Sequence, residues 1–182
     1  MKRHPYLLAL SILLAACAST ITPSPETELL PITEAPSTAD YKNATYLIEG
    51  QFITLTDGSF EVESAPGSAT RITTRYFGNE AFADLNDDGK EDVAFLLTQT
   101  SGGSGTFFYV VVALQTETGY EGTNAVFLGD RIAPQTTNIQ NGIIIVNYAD
   151  RNPGEPFTVQ PSLGVSKYFK VIDNVLVEIQ NP

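Results

Sequence analysis

Past Asn43 the apolar residues come in short runs, most of them alternating with polar ones and separated by Gly, Asn and Asp. No stretch of useful length repeats at the helical period, whereas alternation at period two predicts half-buried strands. The clearest pair is Ile53-Thr54-Leu55-Thr56 and Phe60-Glu61-Val62-Glu63, separated by Asp57-Gly58. Asp-Gly between alternating runs predicts a hairpin with a two-residue turn. Further strands are predicted over 71–77, 81–85, 93–98, 106–114, 125–128, 136–139, 142–148, 165–171 and 175–179. The runs 107–114 and 143–146 are apolar at every position. They predict central strands, because an exposed edge of that kind invites aggregation. The expected fold is all-β: a single antiparallel β-sandwich or barrel over 43–182.

The pattern before Asn43 is different. Lys2 and Arg3 precede an apolar run from Tyr6 to Ala16, interrupted only by Ser11. That is about half of the ~20 residues a spanning helix needs, so it reads as a signal peptide. It ends in Leu14-Ala15-Ala16-Cys17, which resembles the lipobox of bacterial lipoproteins. The resemblance implies cleavage before Cys17 and a diacylglyceryl thioether on its sulfur. Residues 18–42 follow, with four prolines and many Ser, Thr and Glu, and read as a disordered tether. As a flexible coil such a tether spans roughly 25–30 Å. The organisation expected is therefore a signal peptide at 1–16, lipidated Cys17 with its tether to 42, and the β-domain beyond. The implied location is the cell envelope, with the chain held to the membrane by lipid on Cys17. By the sorting pattern of the lipoproteins it resembles, Ala18 after the cysteine implies the outer membrane where a cell has one, and otherwise the outer face of the cell membrane.

Charge and composition narrow the chemistry. The chain has 10 Lys and Arg against 21 Asp and Glu. Losing Lys2 and Arg3 with the leader takes the formal net charge from −11 to −13. Such a surface repels nucleic acid and favours cations. His4 also leaves with the leader, and Cys17 is the only cysteine. Ser–His–Asp triads, Cys–His pairs and His-ligated metals are then unavailable, and the reading is a protein that is not an enzyme.

One segment carries a chemical pattern. Asp84-Leu85-Asn86-Asp87-Asp88-Gly89-Lys90-Glu91-Asp92 has the form D-x-N-x-D-G-x-x-D. Oxygen groups at alternate positions converge when a loop curls, and hard oxygen donors select Ca²⁺. Asp84, Asn86 and Asp88 are the first candidate ligands, Lys90 the donor of a backbone carbonyl, and Asp92 the closing carboxylate. Asp87 and Glu91 are expected to point outward. Phe95 stands where an EF-hand has Glu, and the flanks read as strands, so this is not an EF-hand. The loop resembles the calcium loops of FG-GAP repeats, which lie between β-strands; the resemblance covers about a dozen residues and implies no propeller. The competing reading is a metal-free acidic turn whose Asp and Asn side chains cap backbone amides.

Two other features are weaker. The glycine-rich stretch 101–106 opens a strand rather than a helix, which argues for a hairpin connection over a phosphate cradle. Its small residues are expected to leave access to the acidic loop. Asp130, Arg131, Tyr148, Asp150 and Arg151 are candidates for a polar site that binds a carbohydrate, or for ion pairs that fix turns. The runs 84–97, 102–114 and 128–131 together resemble a group of bacterial envelope lipoproteins over 80–150, a likeness that brings no activity with it. The functional expectation is a lipid-anchored binding or structural module with a calcium ion and an unidentified protein or glycan partner. The alternatives are an inhibitor of a hydrolase such as a lysozyme or protease, or a carboxylate-based glycan hydrolase.

Overall fold

A computed structural model describes residues 40–182. The leader, Cys17 and the tether up to residue 39 lie outside the described residues.

Strands β5 (Asp92–Thr100) and β6 (Phe107–Gln115) pair antiparallel, with Phe95 opposite Val111. Their side chains alternate between two apolar clusters. Ala94, Leu96, Val110 and Val112 join one, while Val93, Phe95, Leu97 and Val111 join the other. A sheet buried on both faces needs continuous apolar strands rather than alternating ones, which accounts for the run at 107–114. These two strands are the middle of a six-stranded sheet. On one side lie β4 (Arg71–Ala83) and then β3 (Ser59–Glu63). On the other, β6 pairs with both β7 (Tyr120–Gly122) and β8 (Val126–Asp130).

A four-stranded sheet covers one face, in the order β12 (Val175–Ile179), β11 (Leu163–Ile172), β10 (Ile143–Asp150), β9 (Ala133–Gln140). It supplies Ile144, Val146, Tyr148, Phe169, Val171 and Leu176 to the first cluster. A short hairpin of β1 (Thr45–Ile48) and β2 (Gln51–Thr54) covers the other face, with a 3-10 turn at Tyr41–Asn43. It supplies Ala44, Tyr46, Ile48 and Ile53 to the second. The result is three antiparallel sheets packed about two apolar clusters, with the hairpin bridged to the segment after β7 at Leu47 and Asn124. Asn124 ties two of the layers together: its side-chain amide donates to the Leu176 carbonyl (3.0 Å) and accepts from the Leu176 N–H (2.8 Å).

Three departures from the expected pattern have plain causes. The Asp57-Gly58 turn forms, with φ of 49° and 75°, and Thr56 bridges Ser59. Beyond that bridge the strands part: β2 pairs with β1 and β3 with β4. The turn joins two layers instead of closing one hairpin. The runs 71–77 and 81–85 are one strand, β4, broken in register around Gly78. Its last expected residue, Leu85, lies past the strand end yet is buried. The folded part also begins earlier than Asn43, since Tyr41 packs on the second cluster and Asp40 caps the 3-10 turn.

Candidate functional site

The loop 84–91 joins β4 to β5. Those strands are antiparallel neighbours, with Ala83 opposite Asp92, so the loop is held at both ends by one ladder. Asp87 and Gly89 take left-handed conformations, with φ of 63° and 82°. Asp tolerates that region and Gly adopts it freely, so the chain can curl within the nine-residue pattern. Asp84 accepts from the N–H groups of Asp88 (3.2 Å) and Gly89 (2.8 Å). Asn86 accepts from Asp88 N–H (3.1 Å), and Asp88 from Lys90 N–H (2.9 Å). The alternate positions therefore all turn inward, onto the loop's own amides. Asp87 faces outward, onto a groove of about 350 Å³ shared with Lys170, Ile172, Asp173 and Asn174.

Asp92 has a structural duty that its place in the motif does not reveal. It is fully buried, and both carboxylate oxygens accept main-chain N–H groups. One comes from Leu85 (2.9 Å), at the start of the loop, and the other from Gln115 (2.8 Å), at the end of β6. Burial raises its pKa, the two amides oppose that, and the negative fields of Asp88 and Asp84 raise it further. The positive charge paired within the loop is Lys90, whose ammonium lies 3.2 Å from Glu117 and 3.6 Å from Asp88. Among the described residues, no three His, Cys, Asp or Glu side chains are already gathered as a metal cluster.

The second group of predicted residues does come together. Asp130 pairs with Arg131 (2.7 Å) and accepts from the Thr106 N–H (2.9 Å). Burial would raise the Asp130 carboxyl, but Arg131, the Thr106 amide and the field of Arg151 outweigh it and hold the pKa below the usual range. Asp150 accepts from the Arg151 N–H (2.7 Å). Arg151 donates to the carbonyls of Val159 (2.6 Å) and Arg131 (2.9 Å), and more weakly to Phe157 (3.4 Å). Tyr148 is buried, and its hydroxyl donates to the Leu128 carbonyl (3.1 Å). Each group is engaged within the protein, in keeping with the turn-fixing reading. What these bonds fix is the segment 152–162 between β10 and β11. Arg131 also lies over the Phe157 ring, 3.7 Å from its centroid, while Phe157 itself is 55% exposed.

The glycine-rich stretch does not reach the acidic loop. The two lie at opposite ends of the nine-residue β5, about 30 Å apart at roughly 3.3 Å per residue. The stretch abuts the Asp130 group instead, through Thr106. One cluster escaped sequence reading. Glu80 accepts hydroxyl protons from both Tyr41 and Tyr76, and these two bonds hold its carboxyl below the usual range. Lys42 lies 4.3 Å above the Tyr76 ring. The register break around Gly78 in β4 was the missing signal, because it alters which residues share a face.

Compared with known protein families, with curated proteins and with solved structures, the chain matches none.

Proposed function

We propose that this chain is a lipid-anchored protein of the cell envelope, whose β-domain acts by binding rather than catalysis and holds a structural Ca²⁺ in the loop 84–92. The observation carrying the ion is electrostatic. Burial raises the pKa of Asp92 and the fields of Asp88 and Asp84 add to it, while the ammonium of Lys90 lies at Asp88 and Lys170 borders the groove beside Asp87. A divalent cation is the charge that this arrangement lacks. The donors fit Ca²⁺ in kind, being oxygens of Asp84, Asn86, Asp88, Asp92 and the Lys90 carbonyl. An oxygen that accepts one N–H keeps a second lone pair, so the amide bonds leave capacity for a cation. Calorimetric titration with Ca²⁺ tests the site. One equivalent should bind, and Asp84→Asn with Asp88→Asn should abolish it; the absence of heat from the unaltered chain would remove the ion. The anchor has its own test. Wild-type chain should fractionate with membranes and Cys17→Ser should be released; a Cys17→Ser chain that stays bound would end the lipoprotein reading.

Inhibition of a hydrolase is a second reading with an observation of its own. The segment 152–162 carries Pro153, Pro156 and Pro161, is clamped by Arg151, and presents Phe157 and Val159 at 55% and 39% exposure. A rigid loop with exposed apolar residues suits insertion into a cleft. Residual activity of lysozyme and of serine proteases with added domain measures this. Loss of inhibition in Phe157→Ala supports it, and full activity across the panel removes it.

A further inference from the structure

Strand β12 faces the opposite way from its pattern. Val175, Val177 and Ile179 alternate as the residues of a buried face should. The core instead takes Leu176, and the three β-branched residues point outward, with Val175 48% and Val177 37% exposed. They do not stand alone. Ile145, Tyr168 and Ile179 align across β10, β11 and β12, all on the side away from the core. Ile143, Ile172, Val175 and Val177 extend the same patch. An antiparallel sheet with one face on the core normally turns polar residues to water on the other.

We infer that this outer face of the four-stranded sheet is where a second copy of the chain docks. Charge favours a copy over other occupants. The outward positions of β10, β11 and β12 carry a single charged residue, Lys170, on a chain of net charge −11. Two copies thus meet with least repulsion here. Asp173 and Asp87 line the same groove as Lys170 at the margin of the patch. About a two-fold axis, Lys170 of one copy would face the acidic margin of the other, the pairing that suits an isologous interface. The same acidic margin disfavours an anionic lipid surface. Edge-to-edge pairing through β12 is obstructed, because Asn124 occupies both main-chain groups of Leu176. A sheet face of this size covers roughly 500 Å² per copy, so a pair buries about 1,000 Å², the lower end for specific interfaces. The dimer is accordingly weak and reversible.

Sedimentation equilibrium tests this on the chain from Cys17 onward, with Cys17→Ser to keep it unlipidated, at concentrations spanning the micromolar range. A monomer–dimer equilibrium is expected. Val177→Lys should weaken it at least about tenfold, with the far-ultraviolet circular dichroism unchanged and the melt unchanged at concentrations where both chains are monomeric. Phe52→Ser, which alters the 79%-exposed ring on the β1–β2 hairpin, should leave it intact. A monomer at every concentration, or a dimer indifferent to Val177→Lys, would overturn the assignment. So would a monomer that binds phosphatidylcholine–phosphatidylglycerol vesicles through Val177, which would give the face to a membrane.

Discussion

Two ends of the molecule carry charge at strand termini, and they handle it differently. Around Asp130 and Arg151 the charges of Asp130, Arg131 and Arg151 meet an opposite charge or a main-chain carbonyl, while Asp150 accepts the Arg151 N–H. Arg151 alone reaches residues 131, 157 and 159. In the loop 84–92 the carboxylates meet chiefly backbone N–H groups, most of them the loop's own, and the fields of two of them add to the burial penalty of a third. The first region is complete as folded, its charges spent on holding a segment in place. The second keeps an excess of negative charge beside a buried group, which a bound cation would relieve. The same residue types thus serve structure in one place and, on the function proposed above, ligand binding in the other, and partner supply makes the difference.

Each region can be broken separately. The largest effect is expected from Asp92→Ala, which leaves the Leu85 and Gln115 amides without their acceptor in a buried setting. Denaturant titration should give a loss of about 2–4 kcal/mol; a loss near zero would mean that the loop is not tied to β6 through this carboxylate. Arg151→Ala removes three bonds to carbonyls at a partly exposed site, and about 2 kcal/mol is expected. Hydrogen exchange should rise across 152–162 and nowhere in the acidic loop. A rise in both would join the two regions and spoil the contrast. Acid should separate them too. The folded pKa of Asp130 is lowered, so its stabilising contribution is fully present above the unfolded value and is lost as pH falls through the folded one. Asp130→Asn should flatten that part of the stability profile; an unchanged slope would show that the ion pair with Arg131 is inert. The smallest change concerns Lys90. Its carbonyl is the proposed ligand, while its ammonium competes with a cation for Asp88. Lys90→Ala should therefore tighten Ca²⁺ binding in a titration, and weaker binding would reverse the sign of this argument.

Most of the fold was legible because its rules are local. Period-two alternation found most of the strands, and the doubly apolar run at 107–114 located the middle of the central sheet. Pairing was less so. Asp57-Gly58 specifies a turn but says nothing of whether the strands stay together, and here each is drawn to a different layer. The bulged β4 read as two strands because Gly78 and Asn79 interrupt its alternation. β1 was missed, although Glu49-Gly50 after it adopts the same positive-φ turn as Asp57-Gly58. In the site, the motif gave the candidate donors in order but not the structural role of Asp92. That role depends on the Gln115 amide, 23 residues away, which no local spacing encodes. The meeting of Asp130, Arg131, Asp150 and Arg151 was likewise invisible, since it rests on how β8 and β10 fall in different sheets.

Thermal unfolding in Ca²⁺ against EDTA measures the proposed calcium site in the loop most directly. With free Ca²⁺ at 100 times its Kd, the domain should gain about 2.7 kcal/mol, and Asp84→Asn with Asp88→Asn should erase the difference. Superimposable transitions in the two buffers would mean that the loop is a self-capped acidic turn, complete without an ion.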